Sequence, residues 1–315
     1  MIVQLGQRFG ILWRTAGKAI LTMSAILVTC IILYYLLTGV DLQSIAQTIL
    51  AINAVYLASF LLLEALVIVV MAKRFQVILQ HMGTDISFIR CFFVNMATYP
   101  LISLAPSVSG NLAKVLYLKG ESSSAKTVSA IITERLFDFS ILIALAAIGL
   151  YFYLDTGTFA ILLLLASALL LLVIGILSMR EHGRGRIVGK AKEILWVVLC
   201  MIRNKPAALI VSMYTLVAWA LALLQVYLFF LAVGASVPLL GIVLKMPVAM
   251  IIGQLPVTLS GMGTRDGAMI SLFSDISGEQ VLAAGLLFTV VRYWVPAVAG
   301  ILFMFIENHR ALATR

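Results

Sequence analysis

The stretch LPVTLSGMGTRDGA, residues 255–268, sets a proline, three glycines, an arginine and an aspartate inside a chain that is otherwise almost continuously apolar. Proline and glycine at that density end a helix. Broken backbone at membrane depth leaves amides and carbonyls unpaired, at several kcal/mol each, and persists only where protein or a wet cavity surrounds it. Whether this stretch lies in water or in the membrane therefore decides the fold. Over 315 residues, 63% are hydrophobic and 11% charged, with a mean hydropathy of +1.13. Those values lie far outside the soluble range. Apolar windows of roughly 20 residues, enough to cross about 30 Å of hydrocarbon, recur at 19–38, 53–72, 128–153, 158–178, 207–233 and 280–306. The expectation is an all-α polytopic membrane protein with six spans.

Arg8, Arg14 and Lys18 before the first span resemble the charged end of a signal peptide, but YLLTGVDLQ offers no small-residue cleavage site, so the segment is expected to stay attached. Cys30, Cys91 and Cys200 are far apart, and His81, His182 and His309 are isolated in polar segments. Neither pattern suggests a disulfide framework or a metal site, and no cofactor is implied. A net charge of +9 invites a nucleic-acid reading, but placing the charges on the spans replaces it with an orientation. With the N-terminus in the cytoplasm, all 22 basic residues except Lys245, Arg265, Arg135 and Arg292 fall on that side, Lys73, Arg74, Arg90 and Lys114 among them. Both termini are then cytoplasmic, in an inner (plasma) membrane.

Two apolar segments do not fit a straight span. ISFIRCFFVNMATYPLISLAPSVSGNLAKVLYLKG (86–120) is cut by Pro100, Pro106 and Gly110, and the segment 238–278 by Pro247, Pro256, Gly261 and Gly263. Counting either as a crossing would reverse the charge-based topology after it, so both are expected to be re-entrant helix pairs, the first from the cytoplasm and the second from outside. The two resemble each other. Pro106 precedes Ser109-Gly110 and Lys114, as Pro256 precedes Ser260-Gly261 and Arg265, and each segment is followed by a span that carries an arginine, Arg135 or Arg292. This predicts an internal repeat of roughly 150 residues, with halves 1–156 and 157–315 within one membrane domain. Two spans, a re-entrant pair and one more span per half invert the second half relative to the first.

Inverted repeats with broken helices are the usual architecture of transporters, whose binding sites lie between the halves. The opening stretch then reads as half of a substrate cavity. Gly261 and Gly263 permit close backbone approach, Thr264 can cap or donate, and Arg265 supplies charge beside Asp266. Five ionisable residues lie inside spans, each at about 2.5 kcal/mol or more at the bilayer centre: Glu64, Glu134, Arg135, Asp138 and Arg292. Helical spacing puts Glu134, Arg135 and Asp138 on one polar face. Two acids with one base leave that face unbalanced unless Lys114, Arg292 or a ligand completes it; an internal ion pair that merely locks helices is the competing interpretation. Arg292 has no acidic neighbour within a turn and must find Glu64, the cluster or a substrate anion. Arginine suits phosphate because its planar fork donates two hydrogen bonds at once. No nucleotide fingerprint, nucleophile elbow, His-containing triad or acidic metal cluster is visible, so no catalytic residue is assigned.

The combination of SVSGNLAKVLYLK (107–119), TERLFDFSIL (133–142) and LSGMGTRDGAMISLF (259–273) resembles the lysylphosphatidylglycerol synthetase transmembrane-region family, best known from the flippase domains of multiple peptide resistance factors. The most specific parts are Glu134-Arg135 with Asp138, and Gly261, Gly263, Arg265, Asp266 and Gly267. Where the family usually carries Gly-Gly and an arginine in the first re-entrant motif, this chain has Ser109-Gly110 and Lys114. The resemblance implies translocation of a lipid with a polar headgroup between leaflets, an aminoacyl-phospholipid, polyprenyl-linked or other modified lipid. The transferase domain of synthetase members is absent before Arg315, so aminoacylation by this chain alone is not expected. The resulting expectation is a flippase-like transporter, not an enzyme, with a membrane lipid as its partner and substrate-binding residues Glu64, Ser109, Gly110, Lys114, Glu134, Arg135, Asp138, Gly261, Gly263, Thr264, Arg265, Asp266 and Arg292. The alternative is a scaffold subunit for a separate lipid-modifying transferase. Small residues such as Gly285 and Gly300 would serve intra- or intermolecular packing equally, which leaves a homo-oligomer open.

Overall fold

A computed structural model describes residues 23, 26–32, 34–38, 41–104, 107–153, 186–255 and 258–313. In chain order its helices are α1 (Leu42–Leu50), α2 (Ala54–His81), α3 (Phe88–Leu104), a 3-10 segment (Ser107–Leu112), α4 (Ala113–Tyr117), α5 (Ser124–Tyr153), α6 (Arg186–Arg203), α7 (Lys205–Ala232), α8 (Leu239–Gly253), α9 (Thr264–Leu272), α10 (Gly278–Thr289), a π-helical turn (Val290–Trp294) and α11 (Val295–Ala313). No strand occurs among the described residues. Four helices are long and apolar enough to cross a membrane: Ala54–His81, Ser124–Phe152, Lys205–Ala232 and the continuous run Gly278–Arg310. The expected span at 19–38 corresponds to a shorter apolar helix, Ile26–Leu37, and the one at 158–178 lies outside the described residues. Among the described residues there are thus four such helices where six spans were expected.

α2 shows how sequence makes a lipid-facing helix. Leu61, Leu62, Leu66 and Val69 are exposed while Glu64 and Arg74 are buried, the reverse of a soluble helix, because lipid accepts leucine and the protein interior must take the charge. Its first turn is capped by Asn53, whose side chain accepts from Val55 N. Its end is a Schellman turn: Gly83 adopts φ +70° and Thr84 N donates to Leu79 O, occupying a carbonyl the helix leaves free. α7 repeats this design. It has the same 28 residues, Asn204 caps it by accepting from Ala207 N, and Gly234 at φ +76° ends it while Ala235 N donates to Phe230 O. One interval of about 150 residues relates Asn53 to Asn204, Gly83 to Gly234, and the start of α3 to the start of α8. α2 and α7 pack antiparallel, since Gln225 bonds Phe60 O early in α2 and Arg74, late in α2, bonds Thr215.

The proline- and glycine-broken segments are helix–break–helix units, α3 with the 3-10 segment and α4, and α8 with α9. α3 packs along α11, and α8 along α5. Both contacts are close because a glycine faces a backbone carbonyl: Gly300 lies on Met96 O and Pro100, and Gly149 on Leu244 O. Pro100 has no amide to return to Met96 O, four residues back, so that carbonyl is free to lie against α11. Gly300 therefore serves packing within the chain, as does Gly285, which abuts the Asp266 carboxylate.

Gly300→Ala tests this contact, because an added methyl would sit within 2.9 Å of the Pro100 ring as well as against Met96 O. Overpacking of this kind costs about 1–3 kcal/mol, so the melting temperature of the detergent-solubilised variant should fall, while Gly267→Ala, whose methyl would meet only the flexible end of Leu36 at 3.8 Å, should melt close to wild type.

Candidate functional site

The two breaks meet inside the molecule. The Ser260 hydroxyl donates to Ser103 O (3.2 Å), and the Ser103 hydroxyl donates to Tyr293 O (3.0 Å). Ser260 is held at φ +51°, and among the described residues no other non-glycine residue has positive φ; Gly261 follows at φ +73° with Gly253 O 2.6 Å from where its Cβ would be. Strained backbone survives only where its surroundings over-determine it. Next to this junction lies a cavity of about 170 Å³, bounded by α2, α3, α5, α7, α8 and the π-helical turn.

Five basic side chains line it, Arg74, Lys114, Arg135, Arg265 and Arg292, against one acid, Asp138. The other acids stand behind the bases. Arg74 is fully buried and grips Asp138 with both terminal nitrogens (2.6 and 3.3 Å), reaching Glu134 at 3.5 Å and Thr215 at 3.1 Å. Lys114 bonds Glu134 at 3.1 Å, with its ammonium over the Phe75 ring. Arg135 pairs with Asp138 at 3.4 Å. On the far wall Arg265 bonds the carboxylate of Asp266 (2.7 Å), Thr289 (2.7 Å) and Gly285 O (3.2 Å) and lies over the Phe288 ring. Arg292 reaches Gln225 at 3.2 Å and Glu64 at 3.5 Å. Asn95, Thr98 and Asn111 add neutral polar groups to the wall. Buried nitrogens remain without a hydrogen-bond partner, Nη1 of Arg265 and Nε of Arg74 and Arg135.

Of the residues expected from sequence, Lys114, Arg135, Asp138, Gly261, Arg265 and Arg292 line the cavity. Glu64, Glu134 and Asp266 support its bases from behind. Gly263 and Thr264 form the entry to α9, where Asp266 accepts from Gly263 N (2.9 Å) and so provides the cap, while Thr264 meets Thr258 at 2.9 Å. Gly110 packs against the backbone of Ile102; the side chain of Ser109 lies outside the described residues. Arg74 and Lys114, both counted among the cytoplasmic-side charges, are buried inside the protein. Arg74 was missed as a site residue because a basic pair, Lys73-Arg74, reads as the end of a span. The apolar run FQVIL that follows and the helix-ending glycine at 83 were the signal that the helix continues.

Sequence comparison bears on this arrangement. Residues 22–300 match the family described as lysylphosphatidylglycerol synthase TM region, and the chain belongs to that family. It is 24% identical to a UPF0104 membrane protein of Methanothermobacter thermautotrophicus over 79% of this chain and 84% of the relative, and 21% identical to a UPF0104 membrane protein of Methanocaldococcus jannaschii over 92% and 96%. Such a region is not by itself a catalytic domain, and the chain is a multi-pass membrane protein.

The Arg74 network makes a thermodynamic prediction. Arg74→Ala strands Asp138 and Glu134 with fewer cations, and removing one partner of a buried pair costs about 3–5 kcal/mol. Arg74→Ala with Asp138→Ala should be more stable than Arg74→Ala alone, a sign reversal measurable as detergent melting temperatures in a double-mutant cycle.

Proposed function

We propose that this protein is a flippase-type transporter that moves a lipid with a phosphate-bearing headgroup between leaflets of the plasma membrane. The observation that carries the reading is the basic cavity where two helix–break–helix segments meet. Headgroup phosphate enters that cavity and is held by Arg292 with Lys114 or Arg265, while the acyl chains remain in lipid. A bare phosphate is poorly tolerated by hydrocarbon, and a wall of arginines replaces its hydration with fork-like, charge-assisted hydrogen bonds.

The architecture in this reading is a pair of inverted repeats with two re-entrant segments and cytoplasmic termini. Three features support it. α2 and α7 share length, caps and terminal glycine turns at one interval; they pack antiparallel, as equivalent helices of an inverted repeat must; and α3 packs on α11 as α8 does on α5. Alternating access then follows from rocking one half against the other around a fixed central site.

The test is native mass spectrometry of protein gently extracted from its own membrane, wild type against the Arg135→Ala, Arg292→Ala double variant. The expected outcome is one phosphate-bearing lipid class retained by wild type and about tenfold depleted in the variant, since a charge-assisted hydrogen bond contributes roughly 1.5–3 kcal/mol. Equal retention of bulk phospholipid by both would make the arginines structural and favour a scaffold for a separate transferase.

A further inference from the structure

The carboxylates around the cavity differ in how many cations hold them. Glu134 is held by Arg74 and Lys114, and Asp138 by Arg74 and Arg135. Asp266 has Arg265 beside it and also caps α9 through Gly263 N. Glu64, like Asp266, has one cationic partner among the described residues, Arg292 at 3.5 Å, but where Asp266 also has a backbone amide Glu64 has the neutral Gln225 side chain. Glu64 is 3% exposed and its Oε2 has no hydrogen-bond partner. Arg292 is partly exposed and lines the cavity, so it stands between Glu64 and any anion that enters. The other polar groups that interact with Glu64 are neutral, Gln225 from α7 and Tyr99 from α3.

We infer that Glu64 and Arg292 form an exchange switch that couples binding of a phosphate anion to uptake of one proton. An anion bound by Arg292 withdraws the single cation that compensates Glu64. A buried carboxylate without a counter-charge is far less stable than the neutral acid, in protein and more so at membrane depth. Glu64 therefore takes a proton from the water that has access to the cavity, and its carboxylate becomes a carboxylic acid. The same movement frees Gln225 Oε1, which now accepts from Arg292, to accept from the new Glu64 hydroxyl. Release of the anion reverses each step. Glu134 and Asp138 do not behave this way, because either keeps a second cation when one is diverted. The inference rests on the phosphate-site reading above and supplies its energy coupling.

The experiment uses the full chain in detergent with dihexadecyl phosphate, a bare phosphodiester that stays ionised between about pH 5 and 8. Its affinity for wild type should weaken by about tenfold per unit rise in pH across the range in which Glu64 titrates, and binding in weak buffer should consume one proton per ligand, read with a pH indicator dye. Glu64→Gln should bind with a pH slope near zero and no proton uptake. The wild-type proton count needs no variant, so a misfolded Glu64→Gln protein would not spare the idea. Binding by wild type without pH slope or proton uptake overturns the switch and leaves the phosphate site standing, as does a Glu64→Gln protein that keeps the wild-type slope. Absence of binding by wild type sinks the phosphate site and the switch together.

Discussion

The rest of this structure depends on the solvation of one guanidinium. Arg74 sits late in a helix long enough to cross the membrane, fully buried, where neither water nor hydrocarbon can compensate it. Its partners are drawn from two other helices, Asp138 and Glu134 on α5 and Thr215 on α7. Through Glu134 the same network reaches Lys114 on the short helix after the first break. Apolar contact between helices contributes little in a solvent as apolar as leucine, so this charge network fixes which faces of α2, α5 and α7 meet. Once those faces are fixed, the first broken segment has a defined place to return to.

The breaks impose the next constraint. Backbone freed by Pro100 and Pro247, and by the turns at Gly110 and Gly261, must find partners inside the protein. Ser103 O finds one on the other broken segment, from the Ser260 hydroxyl, while Met96 O, which Pro100 leaves without its amide, lies against a long helix at Gly300, as Leu244 O lies against another at Gly149. Within the second segment other groups pair locally, Met262 N with Leu259 O and Gly263 N with the Asp266 carboxylate. A cavity at their junction follows from the same geometry, because irregular backbone held apart by large arginine side chains cannot close-pack.

Much of this was legible in the sequence. Membrane class came from composition, and the two breaks from proline and glycine inside apolar runs. Arg135, Asp138 and Arg292 stood out as charges where charge is expensive, Lys114 and Arg265 as the bases that follow the two Ser-Gly breaks, and all five line the cavity. Arg74 did not stand out. A base beside another base near the end of an apolar window looks like a span terminus, and it takes the apolar run after it and the matching Asn-to-Gly framing of α2 and α7 to show that the helix runs on past it. Pairing was hidden for a different reason: that Arg292 meets Glu64 and Arg265 meets Thr289 is decided by helix packing, which periodicity on one helix does not encode.

On the proposed two-fold relation, Arg74 corresponds to Gln225, and Glu64 to Thr215. The contacts obey the relation even though the chemistry does not: Arg74 reaches Thr215 across the interface, and Gln225 lies beside Glu64. One half thus keeps an arginine that is neutralised by carboxylates of its own half. In the other, an amide takes that position, and Arg292 must look across the interface to Glu64 for its counter-charge. A perfectly symmetric pair of halves would give inward- and outward-open forms of equal energy. Glutamine in place of arginine at one of two equivalent sites removes that degeneracy and leaves on the cavity wall a base, Arg292, whose counter-charge belongs to the other half. The asymmetry is therefore placed where an incoming anion would meet it.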